Sequence, residues 1–236
     1  MITKQELQKF AGSRSWYQTI HFEDDVIGGN ARSACGDPGW ENIKTFLPED
    51  LTGKRVIDLG CNAGIFCVRM ALIGAEVVGV DYTGWRETWD FQEQQVFVKQ
   101  YFEQKHNRSL PITYISGKMG EVVYDPNIGK FDYAIAIASI YYTFTPKETV
   151  HGICNITDRV ILRIRDDNRI DKFTKLFEAE GYTRRKYMQE CWWKKYNTQT
   201  DDFHLFLYVR DGVDNISLPQ ISNKNNTENW IPGVEY

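Results

Sequence analysis

Residues 56–64 read Val-Ile-Asp-Leu-Gly-Cys-Asn-Ala-Gly, an apolar run broken by a glycine and followed, after a second glycine, by the longer apolar stretch that begins Ile65-Phe66-Cys67-Val68. Nothing else in the chain constrains the fold as strongly. A β-branched run without polar alternation reads as a strand covered on both faces, the habit of parallel sheets flanked by helices. Gly60 permits a turn that a Cβ would resist, and Gly64 lets a ligand or the sheet approach the start of the next helix closely. Junctions of this kind hold the extended part of a nucleotide-like cofactor. A dinucleotide site uses G-x-G-x-x-G, whose free amides face a pyrophosphate. Here the spacing is G-x-x-x-G, and Asp58 places a carboxylate at the strand end. That charge repels a pyrophosphate and attracts an ammonium, directly or through water.

The same alternation continues downstream. Strands are predicted over 55–59, 76–80, 112–116, 131–138 and 159–165, with helices over 65–73 and 86–104 between them. Thr145-Pro146-Lys147 opens a further helix with proline near its favoured first position, and 167–181 is an amphipathic helix closed by Gly181. Runs 192–196 and 203–210 flank a polar Asn-Thr-Gln-Thr-Asp turn and read as a hairpin. The expected fold is α/β: a seven-stranded, mostly parallel sheet with one antiparallel strand and helices on both faces. Three regions follow: an aromatic-rich N-terminal lid over 1–50 with a helix over 3–10, a core domain over 51–210, and a polar, Asn-rich tail over 211–236. The tail is expected to pack on the core, with Trp230 as an anchor.

Val56 to Gly64 resembles the first motif of class I S-adenosylmethionine-dependent methyltransferases, acid-x-Gly-x-Gly-x-Gly, with Asn62 where the middle glycine is more common. S-adenosylmethionine carries an α-ammonium and a sulfonium, so it suits the carboxylate that the spacing had already set apart. The resemblance implies a Rossmann-like fold with S-adenosylmethionine as cofactor. It implies that Asp58, Gly60, Cys61, Asn62 and Gly64 surround the cofactor, Cys61 through its backbone. It further implies that Asp81 bonds the ribose, Tyr82 packs on the adenine, Lys118 and Met119 neighbour the base, and Ser139 lies beside the methionine moiety. A narrower likeness, from Trp16-Tyr17-Gln18-Thr19-Ile20 through Leu51-Thr52-Gly53-Lys54-Arg55, is similar to the branch containing the bacterial tRNA wobble-uridine carboxymethyltransferase. That branch has Leu-Tyr-His where this chain has Ile140-Tyr141-Tyr142.

Ligands of open α/β sheets sit beyond the carboxyl ends of the strands. Tyr141 and Tyr142 fall at such an end and read either as core packing or as part of the acceptor pocket, Tyr142 being the catalytic candidate. Trp16, Tyr17 and Trp40 are candidate substrate contacts in the lid. Arg163 and Arg165 read either as contacts to an anionic acceptor or as charge partners of Asp166 and Asp167. Trp192-Trp193-Lys194-Lys195 reads as hairpin packing with a solvated lysine pair, or as a platform for a nucleic-acid base.

Charge narrows the acceptor. With 28 Lys and Arg against 32 Asp and Glu, the formal charge is −4, which argues against a broad footprint on duplex nucleic acid. A small-molecule or sugar-like acceptor, methylated on oxygen or nitrogen, is therefore expected, with tRNA as the alternative and a catalytically idle cofactor-binding module as a third reading. Five cysteines without a C-x-x-C pair, no apolar leader and no stretch of ~20 apolar residues point to a reducing cytoplasm and no membrane span. His21, His151 and His204 are too scattered for a metal site, so none is expected. Phe, Trp and Tyr make up 14% of the chain, more than a core requires, so part of that excess is expected around a ligand.

Overall fold

A strand covered by helices on both faces can be apolar throughout, and that is how the sheet of this protein is built. The computed structural model describes residues 2–13, 15–23, 26–29, 37–82, 91–165, 168–190 and 203–213. In chain order its elements are α1 (Lys4–Ser13), β1 (Ile20–Glu23), β2 (Val26–Gly28), α2 (Asp37–Ile43), β3 (Arg55–Leu59), α3 (Ile65–Leu72), β4 (Glu76–Asp81), α4 (Phe91–His106), β5 (Ile112–Ser116) and α5 (Met119–Val122). There follow β6 (Tyr133–Ile137), α6 (Pro146–Ile156), β7 (Arg159–Arg165), α7 (Arg169–Ala179), β8 (Tyr182–Glu190) and β9 (Phe203–Arg210).

Strands β3 to β9 form one sheet in the order β5-β4-β3-β6-β7-β9-β8. The first five in that order run parallel, and β9 runs antiparallel to both its neighbours, β7 and β8. This is the expected sheet, with its single antiparallel strand. Val56 and Val77 belong to a core shared with α1, α3 and α4, whereas Ile57, Leu59 and Ala134 belong to a second core shared with α6 and α7. The order of strands reverses between β3 and β6. Chain connections leave these neighbours in opposite directions, which opens a crevice at their carboxyl ends.

Helix α4 buries Phe91, Gln94, Gln95, Val98, Tyr101 and Phe102, a helical stripe in which two glutamines occupy apolar positions. The N-terminal segment packs beside it. Phe10 stacks on Phe97 at 3.7 Å between centroids, Trp16 meets Phe10 and Phe22 edge-on, and Phe22 meets Tyr101 edge-on at 5.1 Å. The Trp16 indole donates to the Ala11 carbonyl at 2.9 Å, and the Gln94 amide donates to the Ser15 carbonyl at 3.0 Å.

Some sequence expectations change. The partner of β9 is β8, not the run 192–196, which lies outside the described residues. Strand β8 escaped notice because Thr183, Arg184 and Arg185 are exposed, so no apolar alternation marks it, and a bulge falls between Arg184 and Lys186. The N-terminal region holds more than the helix over 3–10. Besides α1 it contains the antiparallel hairpin β1–β2, pairing Ile20 with Gly28, and the short helix α2. Of the helix expected over 86–104, the described part starts at Phe91 and continues to His106. The tail anchor Trp230 and the pair Trp192-Trp193 lie outside the described residues.

Candidate active site

The turn from β3 into α3 takes its shape from three residues in the left-handed region: Gly60 at φ 86°, Asn62 at φ 51° and Gly64 at φ 82°. Two of the three need glycine for space as well. A Cβ on Gly60 would lie 2.3 Å from the Ser139 Cβ, and one on Gly64 would lie 2.3 Å from the Tyr114 hydroxyl. The ends of β3 and β6 thus meet at the crevice, where the Ser139 hydroxyl donates to the Leu59 carbonyl. Asn62 explains the sequence difference noted above. The position demands φ above zero, and asparagine is among the few side chains that tolerate it.

Neighbouring elements hold this turn. Asp81, at the end of β4, accepts from the Asn62 amide at 2.6 Å and from the Tyr82 amide at 2.7 Å. Burial raises its pKa, and the two backbone donors oppose that rise. On the other side Gln95 of α4 donates to the Asn62 carbonyl at 2.7 Å and approaches the Cys61 sulfur at 3.4 Å.

Asp58 is 1% exposed. Burial, with a smaller contribution from the Asp81 charge, pushes its carboxyl up to about 7, against the lowering effect of the Cys67 thiol, which donates to Oδ2 at 3.3 Å. Among the described residues, its other oxygen has no hydrogen-bond partner, and neither does Oδ1 of buried Asn62. Buried acceptors left unpaired cost about 1–3 kcal/mol each, so two on one turn call for a donor. An ammonium held over the turn, directly or through water, supplies it. Burial raises Cys61 to about 11 and Cys67 well above the ordinary thiol value, which leaves both as inert packing groups.

A cavity of about 250 Å³ opens beside the turn. Its described lining comes from Gly60, from Val80, Asp81 and Tyr82 at the end of β4, from residues 117–121 after β5, and from Tyr142 to Thr145 after β6. The Lys118 ammonium sits 5.5 Å from the Tyr82 ring centre and 3.2 Å from a Glu121 carboxylate oxygen. Of the residues expected around a cofactor, Gly60, Asp81, Tyr82, Lys118 and Met119 line the cavity, Ser139 packs against Gly60, and Asp58, Asn62 and Gly64 shape the turn.

The expected acceptor residues divide. Tyr142, 53% exposed, lines the same cavity as Tyr82 and Lys118. Tyr141 lies 4.8 Å from it, ring to ring, beneath the Arg169 guanidinium at 4.7 Å. Arg163 is fully buried with its guanidinium 3.8 Å from the Phe203 ring centre, while Arg165 is exposed and lies 5.9 Å from the same ring. Trp16 and Trp40 pack against the core, and Tyr17 is 39% exposed. Gln95 was missed by sequence reasoning. Its signal was a pair of glutamines, Gln94 and Gln95, at core positions of a helical stripe.

A glycine turn at the reversal point of a mainly parallel sheet, an acidic strand end behind it and a second acid clasping it define a class I cofactor-binding fold suited to S-adenosylmethionine. The family of methyltransferase domains matches residues 30–198, and the chain belongs to that family. Magnesium-protoporphyrin O-methyltransferase of Rhodobacter capsulatus is 34% identical over 102 residues, covering 42% of this chain and 38% of that protein. The tRNA U34 carboxymethyltransferase of Alcanivorax borkumensis is 29% identical over 109 residues, covering 45% and 30%. The chain thus spans between 30% and 38% of the length of these two relatives. Among solved structures, magnesium protoporphyrin IX methyltransferase of Synechocystis with bound S-adenosylmethionine superposes with a TM-score of 0.52 at 19% identity, covering 73% of this chain and 75% of that one. The [4+2]-cyclase SpnF superposes with a TM-score of 0.59 at 12% identity, covering 89% and 93%. These likenesses establish the fold. No helix among the described residues is long and apolar enough to cross a membrane, and no group of three or more His, Cys, Asp or Glu among them is placed to hold a metal ion.

Proposed function

We propose that this protein is an S-adenosylmethionine-dependent methyltransferase acting on an oxygen or nitrogen of a small-molecule or sugar-like acceptor. The observation that carries the reading is the pair of buried, unpartnered acceptors on Asp58 and Asn62, set on a turn that Asp81 clasps from the next strand. When bound, the cofactor supplies a methyl group on a positively charged sulfur that departs as a neutral thioether. Asp58 and Asn62 would receive its ammonium, and Asp81 would keep lone pairs for ribose hydroxyls beyond those used by the two amides. Tyr82, Lys118 and Met119 would enclose the base end, and Tyr142, on the same cavity, is the catalytic candidate beside the acceptor. The protein's share of the reaction is orientation, with proton removal only where the acceptor requires it.

A small acceptor is favoured over tRNA by the fate of the cations. A nucleic-acid face would need Lys118, Arg163 and Arg165 to converge with Lys194 and Lys195 on one exposed surface. Lys118 is paired with Glu121 and Arg163 is buried, while the two lysines lie outside the described residues. The protein should be incubated with S-adenosylmethionine carrying a tritiated methyl group and a whole extract of its source cells. Label in the low-molecular-mass fraction is expected. Label confined to tRNA would overturn the acceptor reading, and failure of the wild-type protein to bind S-adenosylhomocysteine in calorimetry would overturn the cofactor reading.

A further inference from the structure

We infer that Gln95, on the helix beyond β4, is a positioning residue for the cofactor: it holds the Asn62 peptide in the left-handed conformation that the turn requires. The inference rests on the cofactor reading above. Asn62 stands at φ 51° without being glycine. Such a residue persists in that conformation only where its surroundings over-determine it. Its peptide groups are gripped from two sides: Asp81 accepts from the amide at 2.6 Å, and Gln95 donates to the carbonyl at 2.7 Å. Chemistry fixes the orientation of the Gln95 amide, because a carbonyl oxygen only accepts, so the nitrogen must face it. Gln95 is 4% exposed, and its nitrogen also reaches the Cys61 sulfur, one residue earlier in the same turn. A buried side chain spending its donor on two consecutive residues of the cofactor turn does more than fill space between α4 and the sheet.

The relation between the two residues gives the test. Where the turn carries glycine in place of Asn62, the left-handed conformation has no Cβ cost, and the grip of Gln95 becomes dispensable. Calorimetric titration with S-adenosylhomocysteine should be run on the wild type, Gln95→Met, Asn62→Gly and the double variant. Methionine keeps the length and apolar packing of the side chain but lacks the donor. Gln95→Met is expected to weaken binding about tenfold in the wild-type background, close to 1.4 kcal/mol, and no more than about twofold in the Asn62→Gly background. A role limited to stability would lower the melting temperature in both backgrounds and leave affinity alone. Unchanged affinity in Gln95→Met, or an equal loss in both backgrounds, overturns the inference while leaving the cofactor reading intact, since that reading stands or falls on the wild-type titration. Should Gln95→Met fail to fold, Gln95→Leu in the same two backgrounds takes its place, with the same outcomes.

Discussion

Asp58 shows how far a single residue can be read from sequence. Its place before a glycine turn announced a carboxylate at a cofactor site, but its acidity follows from burial, which the sequence does not display. Because its folded carboxyl titrates at about 7, above the ordinary value of 3.8, the folded chain keeps a proton that the unfolded chain has already lost between those limits. Raising the pH through that window therefore removes stability. Without cofactor, the wild type should melt progressively lower than Asp58→Asn between about pH 4 and pH 7, the gap widening by roughly 2–4 °C per kcal/mol for a chain of this size and levelling off above that. Affinity for S-adenosylhomocysteine should move the other way in the wild type, rising with pH as the ionised carboxylate meets the ammonium. Parallel melting curves would show that Asp58 has ordinary acidity. Gly60, Gly64 and Asp81 were legible because glycine and strand-end acids mark themselves. Gln95 was not, since a glutamine at a helical core position names no partner.

Among the elements, most strands of the sheet were legible, the edge strand β5 included. Strands β4 and β6 carry nearly continuous apolar runs, those of β3 and β7 are broken by Asp58 and Arg163, and the helices between them follow from spacing and from Pro146 at the start of α6. Strand β8 was lost because charged and polar residues interrupt it, leaving Tyr182, Tyr187 and Met188 too widely spaced to mark a strand. The short strands β1 and β2 gave too few residues for a period to emerge. Helix α7 shows what two-sided cover is worth. It buries Phe173 and Phe177, and Phe177 stacks on Tyr208 of the antiparallel strand at 5.0 Å with rings 21° apart. Phe177→Ala should cost about 3–5 kcal/mol in urea unfolding without altering affinity for S-adenosylhomocysteine, because the ring lies in the core away from the turn. A loss below about 1 kcal/mol would mean that α7 is only loosely attached.

Over the whole molecule, Gln94 and Gln95 are neighbours on one turn of α4, directed about 100° apart. Gln95 holds the cofactor turn and Gln94 holds the Ser15 carbonyl of the N-terminal segment. Whatever steadies one grip steadies the helical turn that makes the other. Hydrogen exchange followed by mass spectrometry should therefore show the amides of β1 and β2 exchanging at least about threefold more slowly once S-adenosylhomocysteine is bound, although no described residue of that hairpin lines the cavity. Gln94→Ala should abolish the slowing while leaving affinity within about twofold, and an unchanged exchange rate in the wild type would dissociate the two regions. With that slowing, the hairpin would report the loading of the turn at a distance. A fluorophore attached to the hairpin would register an empty or a filled turn without touching the ligand, and the aromatic cluster that packs the N-terminal segment onto α4 would serve as the casing of that gauge.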